Sequence, residues 1–176
     1  MKKFLFRMLY EILGKHLPPQ KNFIFGKISK KIRYFLVKGY IVSCGAGVNF
    51  EHGASISSKV KIGNFSGIGI GADIPEQVTI GDYVMMGPNC KIYTRNHNHK
   101  FNDTPFLKQG YEEVRPVIIG NNVWIGGNVT ILPGRKIGNN VVIGACSVIT
   151  KDIPDNCIVG GNPAKIIRNK IDSLEL

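Results

Sequence analysis

The sequence predicts an all-β solenoid, and three observations lead there. The first is a period of six: one residue in six is apolar from Cys44 through Phe50, Ile56, Ile62, Ile68, Ile74, Ile80 and Met86 to Ile92, and again from Ile119 through Ile125, Ile131, Ile137 and Ile143 to Ile149. The second is punctuation. Glycine often follows the apolar residue, as at Gly45, Gly63, Gly81, Gly120 and Gly138, and a small or short apolar residue stands four positions after it, as at Val48, Ala54, Ser66, Val84 and Val129. The third is persistence, because an ordinary sandwich has uneven strands and loops, whereas these hexads keep two constant phases. A six-residue period fits neither a helix nor a two-residue strand alternation. It fits a coil in which each hexad is a short flat strand plus a corner, three hexads close a triangular turn, and stacked turns bury what a single turn cannot.

The elements follow in chain order. Residues 1–43 form a basic helical segment: Phe4, Leu5, Met8, Leu9, Ile12 and Leu13 have helix spacing, Pro18 and Pro19 stop that helix, and Ile24, Phe25, Ile28, Ile32, Phe35 and Leu36 form a second apolar stripe. These stripes are expected to cap the open edge of the first coil, which repeat proteins must cover. Net charge is +11, and residues 1–40 hold ten Lys or Arg against one acidic residue, so the field is concentrated there. A basic amphipathic face of that kind also suits peripheral contact with an anionic membrane. It has no aromatic platform for nucleic acid, so no nucleic-acid partner is expected. Residues 44–160 form the β-helix of about five coils, in which glycine relieves crowding and permits positive φ at turns. Residues 98–118 leave the rhythm as a long loop, a place where function concentrates. Residues 161–176 form a turn and tail that close the far end.

The four cysteines have scattered spacings and form no CxxC pair, so they read as small residues of a reducing compartment. Arg7, Glu11 and Lys15 interrupt the only N-terminal apolar run, so a secretory signal is not expected. Of the four histidines, His16 lies beside the helix break, His52 reads as an outward coil residue, and His97 and His99 stand where the rigid coil hands over to the loop. His97 is the candidate general base, since imidazole is the side chain that exchanges a proton near neutral pH. Structural use of His97 is the competing reading, and two histidines two residues apart give no complete metal set, so no metal is expected.

The segments Ile119-Gly120-Asn121-Asn122-Val123-Trp124-Ile125-Gly126, Ile149-Thr150-Lys151-Asp152-Ile153-Pro154 and Gly160-Gly161-Asn162-Pro163-Ala164-Lys165 resemble the hexapeptide-repeat acyltransferases. Within that family the likeness is to the galactoside, maltose and cell-surface polysaccharide O-acetyltransferase branch. The resemblance implies a left-handed parallel β-helix, a homotrimer with sites at subunit boundaries, acetyl-CoA as cosubstrate and a sugar or glycan acceptor. It makes His97 the residue that activates the acceptor hydroxyl, with Trp124 lining the reaction site and Gly127 and Ala145 offering backbone groups to the pantetheine arm. It sets Thr150, Lys151, Arg168 and Lys165 near the nucleotide end of CoA. Asp73, matched across a one-residue gap, and His99 fall on the acceptor side. Arg135 departs from the pattern at a corner that is normally small. The implied enzyme acts in polysaccharide biosynthesis, in the cytoplasm at the inner face of the membrane. The alternatives are another acceptor, such as an amino-sugar nitrogen, a serine or an antibiotic hydroxyl, and a noncatalytic solenoid scaffold.

Overall fold

The computed structural model describes residues 1–22 and 24–169, so the end of the expected C-terminal tail lies outside the described residues. Helices α1 (Lys2–Ile12) and α2 (Gly26–Lys38) precede a left-handed parallel β-helix with three walls. The first wall stacks Ser43–Cys44, Lys61–Ile62, Val78–Ile80, Val117–Ile119 and Lys136–Ile137. The second runs from Asn49–Phe50 through Gly67–Ile68, Met85–Met86, Trp124–Ile125 and Val142–Ile143 to Cys157–Gly160, and the third from Ser55–Ile56 through Asp73–Ile74, Lys91–Ile92 and Thr130–Ile131 to Val148–Ile149. Five coils are complete and Cys157–Gly160 begins a sixth. Lys165–Asn169 closes it by pairing antiparallel on that last strand.

The register is the one the six-residue period dictates. Ser55 sits opposite Asp73, Asn49 opposite Gly67, and Trp124 opposite Val142, each eighteen residues apart. Phe50, Ile56, Ile68, Ile74, Ile80, Ile125, Ile131 and Ile143 are all buried in the prism, as are the corner residues Val48, Ala54, Ser66, Val84 and Val129. β-Branched side chains suit such flat stacked rungs. Arg135 does not enter this core. Pro133 is buried near that corner instead, while the Arg135 guanidinium donates to the Thr150 carbonyl at 3.2 Å and pairs with Asp152 at 3.6 Å.

The glycines divide the two expected tasks between them. Those following the inward residue do not adopt positive φ; they allow backbone stacking, since a Cβ on Gly45 would lie 2.6 Å from the Gly63 carbonyl carbon and one on Gly120 2.7 Å from the Gly138 oxygen. Gly47, Gly53, Gly71 and Gly134 take the positive φ of the corners, and asparagine shares that task at Asn89, Asn122, Asn128, Asn140 and Asn156, a residue type that tolerates it.

One correction concerns the cap. The helices do cover the first coil, but not with the stripes read from the sequence. Phe4, Leu5, Met8, Ile12, Leu13, Ile24, Phe25, Ile28, Ile32 and Phe35 are all exposed, and of those stripes only Leu36 is buried and Leu9 partly so. The coil's first edge is a row of carbonyls, which need donors more than they need hydrocarbon. Tyr10 donates to Ala54 at 2.7 Å, Tyr40 to Ile56 at 3.1 Å and Tyr34 to Gly45 at 3.0 Å. Arg33, wholly buried, donates to the carbonyls of Phe50, Leu17 and Pro18. Among the described residues no helix is long and apolar enough to cross a membrane.

Candidate active site

The loop leaves the third wall after Lys91–Ile92 and returns at Val117, two residues before the hexad rhythm resumes. It is folded against its own coil. Glu112 donates its N–H to Asn96 at 2.9 Å, Asn98 to Gly110 at 3.0 Å and Arg115 to Thr94 at 2.6 Å, while the Asn98 side chain donates to the carbonyls of Gln109 and Tyr111. This lacing forms an antiparallel bridge between His97 and Tyr111.

The exposed His97 ring lies against that of Tyr111, with centroids 4.0 Å apart and planes inclined by 34°, and the Arg95 guanidinium lies 4.5 Å from the Tyr111 ring centre. This ring contact packs one side of the imidazole against the loop. Below it opens a cavity of about 550 Å³ lined by Ser57, Asp73, Glu76, Arg95, His97 and Tyr111. Lys59 donates to Glu76 at 2.7 Å and holds that carboxyl below its ordinary range. An imidazole beside carboxylates in an open polar cavity can take a proton from a hydroxyl group and orient the molecule that carries it.

Asp73 and His97 are thus brought together. His99 is not: its Nδ1 lies 3.3 Å from the His97 carbonyl oxygen and 3.8 Å from Glu112, away from the cavity lining. His52 is half-buried, with Nδ1 2.9 Å from the carbonyl oxygen of Leu17 in the N-terminal segment, and His16 is exposed. Sequence reading missed Glu76 and Arg95. The eighteen-residue register held the signal for Glu76, because a residue on the third wall's exit lies one coil below Thr94.

The remaining candidates fall into two sets. Thr150 and Lys151 leave the third wall at the same edge as His97, two coils further on. Trp124 stands half-exposed on the second wall, where Tyr83, Met85 and Trp124 line a separate cavity of about 240 Å³. Gly127 and Ala145 turn the edge after that wall, with Cys146 donating to the Gly127 carbonyl at 2.9 Å. Among the described residues the N–H groups of Gly127 and Ala145 donate to no protein acceptor, which leaves them available to an amide-bearing arm. Lys165 and Arg168 extend the second wall, exposed, opposite Gly160 and Ile158. One chain therefore presents the base and the edge of Thr150 and Lys151 on one side, and Trp124 with the free amides on another.

The coil itself is shared with a class of transferases. Residues 116–151 match the model described as bacterial transferase hexapeptide (six repeats). A maltose O-acetyltransferase from Clostridium difficile superposes with a TM-score of 0.76 at 31% identity, covering 96% of this chain and 86% of that one. A galactoside acetyltransferase in complex with coenzyme A gives a TM-score of 0.74 at 30% identity, covering 97% and 82%. The galactoside O-acetyltransferase of Escherichia coli is 46% identical over 93 residues, 52% of this chain and 43% of its own length. The chain belongs to the hexapeptide-repeat acetyltransferase family and is related to its galactoside and maltose O-acetyltransferase branch. The matched stretch spans a little under half the length of the curated relatives.

Proposed function

We propose that this chain is an acetyl-CoA-dependent O-acetyltransferase whose acceptor is a hydroxyl of a sugar or cell-surface polysaccharide precursor. The observation that carries the reading is His97, packed against Tyr111 and exposed on the rim of a cavity that also holds Asp73 and Glu76. A hydroxyl is a poor nucleophile at neutral pH, whereas a thioester is already activated and asks for no metal. His97 takes the hydroxyl proton as that oxygen attacks the thioester carbonyl. The tetrahedral intermediate collapses, the C–S bond breaks, and the proton leaves with the CoA thiol. Asp73 accepts a hydrogen bond from a second sugar hydroxyl, and His99 acts at the loop side of the acceptor.

The donor runs along the edge that carries Gly127 and Ala145, with Trp124 beside its reactive end. Thr150, Lys151, Lys165 and Arg168 attract its phosphates. Because these groups lie on two sides of one chain, the working unit is a homotrimer whose sites are shared between neighbours. The enzyme works in the cytoplasm at the inner face of the membrane. Its basic N-terminal segment makes peripheral contact with anionic lipid, and no nucleic acid takes part.

The test is thiol release from acetyl-CoA with a panel of mono- and oligosaccharides, the acetyl position being read by NMR. His97→Ala is expected to keep the fold and lose about 10²- to 10⁴-fold in turnover, the usual scale for a lost general base. Near-normal transfer by that variant overturns the assignment of the base. Preference for a free amine moves the acceptor to another class.

A further inference from the structure

The helical cap carries a surface that neither the fold nor acetyl transfer uses. On α1, Phe4, Met8 and Ile12 recur every fourth residue with Leu5 beside them, and on α2 Ile28, Ile32 and Phe35 mark one stripe with Phe25 at the N-cap. All eight are exposed, Phe4 at 73% and Phe35 at 65%, although the same helices bury Tyr10, Arg33 and Val37. The ring of Phe6 meets that of Phe35 at 5.3 Å, so the two helices are packed together while their stripes stay open. Contiguous exposed hydrocarbon on this scale marks an interaction surface.

The charge around the stripes selects the partner. Glu11 is the only acidic residue among the first forty, and Lys15 neutralises it at 3.3 Å. Beside the α2 stripe, Lys27, Lys30 and Lys31 with Tyr34 line a recess of about 440 Å³ whose floor is Gly47 and Val48 of the first coil. A second copy of the cap would set these lysines against their equals. A nucleic acid would neutralise them and leave the phenylalanines and isoleucines in water. An anionic bilayer satisfies both, since its acyl boundary takes the apolar side chains and its phosphates take the lysines.

We propose that the cap docks on an anionic phospholipid surface by inserting its two exposed stripes, while the lysine-lined recess receives a headgroup phosphate. This rests on the membrane clause of the proposed function and changes its mode from charge alone to charge with insertion. Any threefold rotation keeps the three caps at one height along the axis, so a trimer engages one surface three times.

Sedimentation with phosphatidylglycerol-containing vesicles, with phosphatidylcholine vesicles as control, tests it on the intact chain. Wild type is expected to bind the anionic vesicles at low salt and to keep a substantial fraction bound at high salt. The combined variant Phe4→Ser, Ile28→Ser, Phe35→Ser is expected to lose the salt-resistant fraction by about tenfold or more. The variant Lys27→Gln, Lys30→Gln, Lys31→Gln is expected to lose the preference for the anionic lipid. Both should keep circular dichroism, oligomeric mass and acetyl transfer to a soluble acceptor, so loss of transfer in wild type would count against the enzyme reading and leave docking standing. No vesicle binding by wild type at low salt overturns the proposal. So does wild-type binding by the serine variant, or a drop in its oligomeric mass, which would make a second copy the occupant.

Discussion

Arg33 fastens the cap to the coil. It is wholly buried, donates to three carbonyls, and among the described residues its Nη2 has no hydrogen-bond partner, the Glu51 carboxylate lying 3.9 Å away. Burial lowers its pKa, with Glu51 acting the other way, yet a guanidinium stays charged at any working pH. Truncation would take the donor from those carbonyls and the nearby cation from Glu51, whose carboxylate would keep, among the described residues, only the Gln20 N–H and the Asn49 side chain. Arg33→Ala is therefore expected to destabilise the fold by about 3 to 5 kcal/mol, against about 1 kcal/mol for Tyr34→Phe, which loses a hydroxyl that donates to Gly45 and accepts only from the exposed Lys38 ammonium. Thermal and denaturant unfolding measure both; equal small losses would show that Arg33 is not the fastener. At this scale the inward isoleucines were legible in the sequence because each recurs on a fixed period. The role of glycine was half legible: close stacking at Gly45 and Gly120 follows from the repeat, but which residue turns left-handed depends on φ, and asparagine took that place at Asn122 and Asn140. Arg33 was not legible, since a basic residue in a basic segment looks like one more surface charge until the coil's bare carbonyls are in view.

Hydrophobic spacing found both helices and then gave the wrong face. Moment arguments assume that the apolar stripe is the buried one. Here the surface to be covered is the polar edge of a coil, so Tyr10 and Tyr40 went inward, their hydroxyls satisfied by Ala54 and Ile56, and the stripe was left outside. The loop shows the opposite balance. Its position was legible from the broken rhythm and the place of His97 at its start, but the ring that packs against His97, Tyr111, lies fourteen residues away and meets it only through the antiparallel bridge. The edge after the second wall offers a direct test of the donor groove. Cys146 is exposed there beside Ala145, whereas Cys90 and Cys157 are buried and burial pushes the Cys44 thiol up to about 11. Thiolate, not thiol, reacts with disulfide reagents, so Cys44 and Cys90 are expected to label slowly and Cys146 first. Saturating CoA should slow the labelling of Cys146 markedly and leave Cys44 unchanged. Peptide mapping of the labelled protein reads this, and an unprotected Cys146 would remove Gly127 and Ala145 from the groove.

The coil is a triangular prism, and the way copies pack around it would determine whether the two sets of candidate site residues can meet. His97, Asp73, Thr150 and Lys151 lie on the third wall and the edge that leaves it; Trp124, Gly127, Ala145, Lys165 and Arg168 lie on the second wall and the edge that leaves that one. The repeat made each position legible but not the pairing, because a sequence does not say which edge faces a neighbour. A heterologous contact joins different patches of successive copies, and it closes into a ring of three when each copy is turned by a third of a revolution. In such a ring the His97 edge of one subunit meets the Ala145 edge of the next, and each site takes half its groups from each. Light scattering should then give three times the chain mass. The sharper test is complementation between two inactive variants, His97→Ala, which removes the base, and Ala145→Trp, which fills the groove at an exposed position. Each homotrimer alone is expected to be inactive. Co-expressed in equal amounts, they assort at random, and a site is whole only when its histidine comes from one kind of subunit and its groove from the other. That occurs at about one site in four for independent assortment around a closed ring, so about a quarter of wild-type turnover should return. A mixture as inactive as its parents would place the base and the groove in the same chain and end the shared-site reading.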